Sequence, residues 1–368
     1  TAGATTVGHF VGPQLLVAPA SYGLAVGDFA VVEEDLTAPL GVVKNADGTL
    51  SHACTPLGVD LDGKIAVISR GTCTFSQKIL MAQNAGADAA IVVNNVAGDP
   101  TAMGLGGLPT EPVIPAYMLG LDNRAAVMAA DGSSATITEA MAYFNTDNDD
   151  IRAGFSAQGP TDVDFRVKPD VMAPGVNVLS SQPATICGGD ADCWAFFQGT
   201  SMATPHLAGS AAFLKSQHMT WSAAEIRSAI VNTADQGVVT SHTDGTTVLK
   251  DPTIIGSGRE NLDSANDAAV ALSPVSVSFG GVPAGSGQTR TFTVELSSLD
   301  GVAGPYTAAV VKTGGGTGVS FSASVSGSTV TVTMTADKGS AGGEHYGVLT
   351  ISRGGAAVAH AAVYALVK

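Results

Sequence analysis

The stretch that decides the fold is Gly199-Thr200-Ser201-Met202-Ala203-Thr204-Pro205-His206, which places a serine at the start of a predicted helix. The residues that follow, 207–214, are small or apolar on every side, which predicts a helix buried deep in an α/β domain. Because first-turn amides have no intrahelical acceptor, they and the helix dipole favour negative charge beside Ser201. The Ser201 N–H could then donate to the oxyanion of a tetrahedral intermediate. The local pattern leaves open that Thr200 or Ser201 is simply the N-cap.

Two further strings precede this motif. They are Phe155-Ser156-Ala157-Gln158-Gly159-Pro160 and Lys168-Pro169-Asp170-Val171-Met172-Ala173-Pro174-Gly175-Val176. In this order and spacing, the three strings closely resemble the second half of the subtilisin-like serine proteases. The resemblance implies an α/β fold with part of a parallel sheet, Ser201 as nucleophile, and Phe155, Gln198 and Gly199 at the substrate cleft. Gln198 departs from the asparagine that is usual before Gly-Thr-Ser in that family.

Composition restricts the partners of the chain. Lys and Arg number 17 against 32 Asp and Glu in 368 residues, a formal net charge of −15, so a nucleic acid is not an expected partner. No apolar run reaches the roughly 18 residues that a membrane span needs. The chain opens on Thr1-Ala2-Gly3, with neither a methionine nor a signal sequence, so we expect a processed or truncated product.

The four cysteines form two local pairs, Cys54 with Cys73 and Cys187 with Cys193. Neither pair has the spacing of a zinc or redox motif, so two disulfides are the economical interpretation. Disulfides indicate an oxidising compartment, and we expect a secreted, extracellular protein. Four buried thiols in a cytosolic protein remain the alternative.

Four segments follow from composition and periodicity. Residues 1–20 are assigned to the edge of the catalytic domain. Residues 21–135 contain a strand at 64–69, a helix at 75–86 and a strand at 89–94, and resemble an inserted α+β protease-associated domain. Residues 136–272 return to the protease pattern, with a capping box at Ser222-Ala223-Ala224-Glu225. Residues 273–368 alternate with period two, which predicts an antiparallel β-sandwich similar to a fibronectin-III-like domain.

A serine nucleophile needs a histidine base and a third group that holds the base in its tautomer. Only His9 precedes the predicted insert, and residues 7–10 lack the family's His-Gly-Thr pattern. His206 lies about 140° round and about 7.5 Å along the helix from Ser201, so it faces elsewhere. The family's aspartate motif and second oxyanion donor find no match either. We therefore expect these groups in an N-terminal half that either accompanies the chain as a separate piece or is omitted from the sequence. Without it, the chain would be nearly inert, and half of a parallel sheet would leave one helix face uncovered.

Residues 145–150, Asn-Thr-Asp-Asn-Asp-Asp, alternate oxygen-bearing side chains as a calcium loop does, but lack its glycine and distal glutamate. We favour a solvated acidic loop and expect no cofactor, leaving a structural calcium ion open.

The leading hypothesis is a secreted subtilisin-like serine endopeptidase, with protein or peptide substrates, that forms an acyl-enzyme on Ser201. Two alternatives remain, a non-catalytic binding protein on a protease scaffold and a stable fragment with a role of its own.

Overall fold

The computed structural model describes residues 1–185, 193–283 and 287–368. The strands are β1 (Ala2–Thr5), β2 (His9–Gly12), β3 (Gln14–Val17), β4 (Ala20–Val26), β5 (Leu36–Val42), β6 (Ile65–Ser69), β7 (Ala89–Val93), β8 (Ala116–Leu119), β9 (Ser134–Ile137), β10 (Ala142–Asn145), β11 (Val171–Pro174), β12 (Val178–Ser181), β13 (Trp194–Phe197), β14 (Val270–Ser273), β15 (Val277–Val282), β16 (Gln288–Ser298), β17 (Tyr306–Gly314), β18 (Val319–Ser326), β19 (Thr329–Ala336), β20 (Gly343–Arg353) and β21 (Ala356–Val367). The helices are α1 (Phe75–Asn84), α2 (Arg124–Ala129), α3 (Thr200–Gln217), α4 (Ala223–Asn232), α5 (Pro252–Ile255) and α6 (Leu262–Asn266).

Seven strands close into a barrel in the order β3-β4-β8-β7-β6-β5-β9. The predicted strand, helix and strand are β6, α1 and β7, and β6 pairs with β7 in parallel. Ile65 and Val67 of β6 face the barrel interior, whereas Ala66 and Ile68 pack with Ile79 of α1. Because both faces of β6 are covered, its sequence is continuously apolar instead of alternating.

The barrel strands run from residue 14 to residue 137, while the domain boundaries at residues 21 and 135 remain predictions. β2 and β10, which flank the barrel strands in sequence, pair with each other in antiparallel fashion. Cys54 and Cys73, paired from their spacing, form a disulfide before α1. Cys187 lies outside the described residues, so the second predicted pair is not described; Cys193 is disulfide-bonded.

The predicted protease segment contains a short parallel sheet. β1 pairs with β11 in parallel, joining Ala2 to Val171 across the whole insert. Residues 258–260 lie along the other side of β11, where Met172 N donates to Gly258 O and Glu260 N donates to Met172 O, each at 2.8 Å. The predicted helix after Ser222 is α4, and Ser222 and Glu225 form the capping box. α3 packs against β1, β11 and α4.

The C-terminal part consists of two four-stranded sheets, in the orders β14-β16-β19-β18 and β15-β21-β20-β17. The side chains between the sheets form one apolar cluster, which includes Val294, Val332 and Leu349. The prediction of a purely antiparallel sandwich is wrong for one pair, because β15 and β21 are parallel. Parallel pairing is accessible to them because they are the second and the last strand of this part, so a long connection separates them. Among the described residues, no helix is long and apolar enough to span a membrane.

Candidate active site

Helix α3 begins directly after Gly199, so Ser201 is its second residue. Gly199 has φ 147°, and no side chain caps the helix. Thr204 Oγ1 instead donates to Thr200 O at 2.8 Å within the first turn. The alternative that Thr200 or Ser201 serves only as the N-cap is therefore wrong. Ser201 is exposed, with its hydroxyl at a helix N-terminus where the dipole favours negative charge.

The turn before Ser201 is attached to the sheet through Gly175. Gly199 N donates to Gly175 O at 2.8 Å, and Gly175 N donates to Thr5 O of β1 at 2.9 Å. A Cβ added at Gly175 would lie 2.6 Å from Ala4 Cβ and 2.8 Å from Gly199 O. This position therefore needs glycine, because only a residue without a side chain allows the three segments to approach so closely.

The loop that carries Phe155 is attached to the same strand. Ser156 Oγ accepts a hydrogen bond from Ala4 N at 3.1 Å, and Ser156 O accepts one from Arg152 Nη2. Phe155 itself is 47% exposed. The positions of Ser201 and Phe155 thus both depend on hydrogen bonds to two adjacent residues of β1, Ala4 and Thr5.

Gln198, predicted at the cleft, contacts the segment that follows β7 in the barrel. Its Nε2 donates to Ala102 O at 3.0 Å, and Asn177 Nδ2 donates to Pro100 O at 3.1 Å. The Oε1 of Gln198 is buried and has no hydrogen-bond partner within the described ranges. No local sequence signal predicts that Asn177 and Ala102 make these contacts, because the bonded residues lie 77 and 96 positions apart in the sequence.

No imidazole in the described part of the chain is hydrogen-bonded to Ser201. His206 Nδ1 lies 2.9 Å from Met202 O on its own helix. His242 Nδ1 lies 3.3 Å from Arg152 Nη1, and burial, together with the charge of Arg152, lowers the pKa of His242. Among the described residues, the predicted nucleophile therefore has no base beside it.

Helix α3 is far more exposed than the sequence predicts. Only Ala203 and Leu214 are buried, while Ala208, Gly209 and Phe213 are exposed. The prediction that α3 is buried on every side is therefore wrong. Among the described residues, this sheet consists of two strands and the flanking segment 258–260, so β1 and β11 cover only one face of α3. A groove of about 460 Å³ lies beside α3, lined by residues that include Leu179, Phe197 and His206.

The acidic segment 145–150 contributes to ordinary protein contacts. Asn148 Nδ2 donates to Asp99 Oδ1 at 2.7 Å, and Asp150 pairs with Arg259 at 3.1 Å. Within the described residues, no group of three or more His, Cys, Asp or Glu side chains is placed to hold a metal ion.

The sequence that contains this exposed serine is similar to those of known proteins. Residues 63–258, just over half of the chain, match the family model described as Subtilase family. The chain belongs to the subtilase family. This subtilase chain is 30% identical over 323 residues to Minor extracellular protease Vpr of Bacillus subtilis (strain 168), covering 84% of this chain and 38% of that protein. It is 31% identical over 234 residues to Subtilisin BL of Lederbergia lenta, covering 61% of this chain and 71% of that protein.

The chain thus spans well under half the length of the Bacillus subtilis relative. Among solved structures, a zinc aminopeptidase from Bacillus subtilis is similar at 28% identity, covering 39% of this subtilase chain and 33% of that chain. Its TM-score is 0.28, which is too low to carry an argument about fold or activity.

Proposed function

We propose that this subtilase chain is the nucleophile-bearing part of a secreted serine endopeptidase that hydrolyses peptide bonds of proteins through an acyl-enzyme on Ser201. The observation that carries the proposal is the position of Ser201, exposed at the start of α3 directly after Gly199. An exposed hydroxyl at a helix N-terminus is accessible to a substrate carbonyl carbon and lies where developing negative charge is stabilised.

In the proposed reaction, the Ser201 Oγ attacks the substrate carbonyl while an imidazole accepts its proton. The carbonyl oxygen becomes an oxyanion and accepts a hydrogen bond from the Ser201 N–H, which is a first-turn amide without an intrahelical acceptor. The imidazole then protonates the leaving amine, and water releases the acyl group by the reverse proton transfers. Phe155, Gln198 and Gly199 are the residues we assign to substrate binding.

We assign the catalytic histidine, the aspartate and the second oxyanion donor to an N-terminal half of the catalytic domain outside residues 1–368. Two observations support this assignment. No histidine of the described residues is hydrogen-bonded to Ser201. One face of α3, with Ala208 and Gly209, is apolar and exposed, so further structure packed there would bury it. Without a base, the chain should retain only a very small fraction of full activity.

The other assignments concern the flanking parts. The barrel is proposed to be a protease-associated domain and the C-terminal sandwich a fibronectin-III-like domain. The Cys54–Cys73 disulfide supports an oxidising, extracellular location. We assign no cofactor, and we place neither a nucleic acid nor a membrane among the partners.

The experiment that tests the function measures hydrolysis of a quenched fluorescent protein substrate by the complete protein. We expect hydrolysis by the native protein and its loss in the Ser201→Ala variant. The Ser216→Ala variant, which changes an exposed serine of the same helix, serves as the control. If the complete protein with its N-terminal half does not cleave the substrate, or if Ser201→Ala cleaves it normally, the proposal is wrong, and a non-catalytic binding protein becomes the better account.

A further inference from the structure

Three cationic side chains, Arg70, Arg124 and Lys78, lie near the carboxyl ends of adjacent parallel strands in the barrel, around Asn94 and Ser69. Arg70 directly follows β6, Asn94 directly follows β7, and Arg124 lies five residues beyond β8. β7 pairs in parallel with both β6 and β8, so these strand ends share one edge of the barrel. α1 begins at this edge too, and its N-terminus adds a positive dipole end. In parallel sheets, this edge is where ligands usually bind.

The two guanidinium groups converge on Asn94. Arg70 Nη1 donates to Asn94 Oδ1 at 2.9 Å, and Arg124 Nη2 donates to Asn94 O at 2.8 Å. Arg124 Nη2 also donates to Ser69 Oγ at 3.1 Å. Beneath them, the fully buried Lys78 donates from Nζ to three carbonyl oxygens, His52 O at 2.8 Å and Ser69 O and Gly71 O at 3.0 Å each, so all its donors are used.

These cations have no acidic partner in the part of the chain that the structure describes. By contrast, Arg259 pairs with Asp235 at 2.7 Å. Burial lowers the pKa of Arg70 and Arg124, and it lowers the pKa of Lys78 to about 8. Partly buried charges are usually paired, so two guanidinium groups without an acidic partner at one edge, above a buried ammonium group that adds positive charge, indicate a bound anion in a chain of net charge −15.

A second observation is the amide of Asn94, which is 1% exposed and whose Nδ2 is buried without a hydrogen-bond partner among the residues that the structure describes. Its orientation is determined by its surroundings, because Oδ1 accepts from both Arg70 Nη1 and Asn95 N at 2.9 Å. Rotating the amide would turn Nδ2 towards two donors. Arg124 Nε is likewise buried and unpartnered. The atoms lacking a partner are thus donors, which call for an acceptor.

Other donors of the cluster remain available to a ligand. Arg70 Nε and Nη2 and Arg124 Nη1 make no hydrogen bond with the described residues and are not among the buried unpartnered atoms. These groups therefore reach solvent. Two guanidinium groups with free N–H donors match the two oxygens of a carboxylate.

The segment that leaves this edge of the barrel contacts the turn before Ser201. The chain that leaves Asn94 reaches Ala102 within eight residues, and Ala102 O accepts the hydrogen bond from Gln198. Eight residues span at most about 29 Å, so an extended polypeptide bound at Ser201 is long enough to reach this edge. We propose that Arg70 and Arg124, together with Asn94, bind the carboxylate of an acidic side chain in the polypeptide substrate. This inference rests on the proposed function, because it takes the ligand to be a substrate.

The test measures binding and does not depend on turnover. The complete protein carrying Ser201→Ala is titrated with a fluorescent peptide that contains a Glu-Asp pair, and with the same peptide carrying Gln-Asn, by fluorescence anisotropy. We expect the acidic peptide to bind on the order of tenfold more tightly, with a preference that weakens at high salt. Arg70→Gln and Arg124→Gln should each remove most of that preference. Arg166→Gln, an exposed arginine paired with Asp164, serves as the matched control and should retain it.

Asn94→Asp is the sharper variant. The new carboxylate keeps the acceptor for Arg70 and removes the unpartnered donor. It also supplies a negative charge beside the two guanidinium groups in a side chain of nearly the same size as asparagine. We expect a higher melting temperature and no preference for the acidic peptide.

Three results would overturn the proposal: equal binding of the two peptides, a preference that persists in Arg70→Gln and Arg124→Gln, or a lower melting temperature for Asn94→Asp. Displacement of the peptide by inorganic phosphate but not by succinate would show that the site does not bind a carboxylate. Tighter binding of succinate than of the peptide would show that the ligand is not a polypeptide.

Because this titration uses a variant without the nucleophile, its failure leaves the endopeptidase proposal untouched. Hydrolysis by the complete protein tests that proposal separately.

Discussion

The main-chain N–H of Gly199 donates to the carbonyl oxygen of Gly175 at 2.8 Å, and this bond connects the turn before Ser201 to the loop after β11. Gly175 N donates in turn to Thr5 O of β1, so the position of Ser201 depends on the sheet through one glycine. The exposed position of Ser201 is therefore a consequence of how the sheet and the helix pack, and of small residues such as Ala4, Ala173 and Ala203 between them.

Gly175→Ala tests this packing. The added Cβ would lie 2.6 Å from Ala4 Cβ and 2.8 Å from Gly199 O, so β1 or the nucleophile turn must move. We expect the free energy of unfolding to fall by about 1–3 kcal/mol, as for other overpacked sites. Gly58→Ala, where an added Cβ meets no atom within 4 Å, is the control and should change stability little. Equal stability of Gly175→Ala and Gly58→Ala in denaturant unfolding would contradict the packing described.

Gln198→Leu tests the contact between the barrel and the nucleophile turn. Leucine removes the donor to Ala102 O and leaves that carbonyl without its partner, which should cost about 1–3 kcal/mol locally. We expect faster amide hydrogen exchange in residues 98–106 of the variant, while the strands of the sandwich exchange as before. Gln217→Ala, an exposed residue at the end of α3, is the control. Unchanged exchange in residues 98–106 would mean that Gln198 does not hold this segment.

Much of the local structure is predictable from the sequence because its signals are local. The continuous apolar run at β6 and the helical period of α1 lie within about ten residues of each other, and the Ser222 capping box marks the start of α4 directly. The three strings around Phe155, Asp170 and Ser201 are sufficient by themselves to indicate the subtilase family, because each is a continuous stretch of sequence.

What could not be predicted depends on contacts between residues far apart in sequence. The apolar sequence of α3 by itself predicts burial on every side, and the exposure of one face depends instead on how many strands flank β1 and β11. Only the expectation that half of the catalytic domain is missing points to an uncovered helix face. The parallel pairing of β15 with β21 is decided by the path of the whole sandwich, although both sequences read as ordinary strands. The contact of Gln198 with Ala102 and the convergence of Arg70 and Arg124 on Asn94 likewise arise only in the folded chain.

Replacing both Cys54 and Cys73 with alanine tests the role of the disulfide. The bond closes a loop with a sequence separation of 19 residues, and the chain-entropy model gives about 3 kcal/mol for a loop of that size. We expect the barrel to unfold at a lower denaturant concentration, with exchange protection lost first in β6 and α1. An unchanged unfolding midpoint would show that the disulfide does not constrain the unfolded barrel.

Glu260→Gln tests a pH dependence beside α3. Burial raises the pKa of Glu260, and a hydrogen bond from Ser210 and the charge of His206 offset this only in part. A carboxyl whose pKa is higher in the folded state favours folding below its unfolded pKa, and that contribution is lost as pH rises through the folded pKa. We therefore expect the native chain to lose stability relative to Glu260→Gln as pH rises from about 4 towards 7.

Denaturant unfolding at several pH values measures this difference. Glu139→Gln, on the exposed surface of the barrel, is the control. A native chain that gains stability relative to Glu260→Gln over the same range would show that the pKa of Glu260 is lowered in the fold.

The central claim is that Ser201 becomes a nucleophile when a histidine from an N-terminal half lies against it. The most direct measurement is mass-spectrometric mapping of the residue modified by a fluorophosphonate in the complete protein and in residues 1–368 alone. We predict a single adduct on Ser201 in the complete protein, and modification slower by about four orders of magnitude or more in residues 1–368. An unmodified Ser201 in a complete protein whose N-terminal half is present, or an adduct on another serine, would contradict the account.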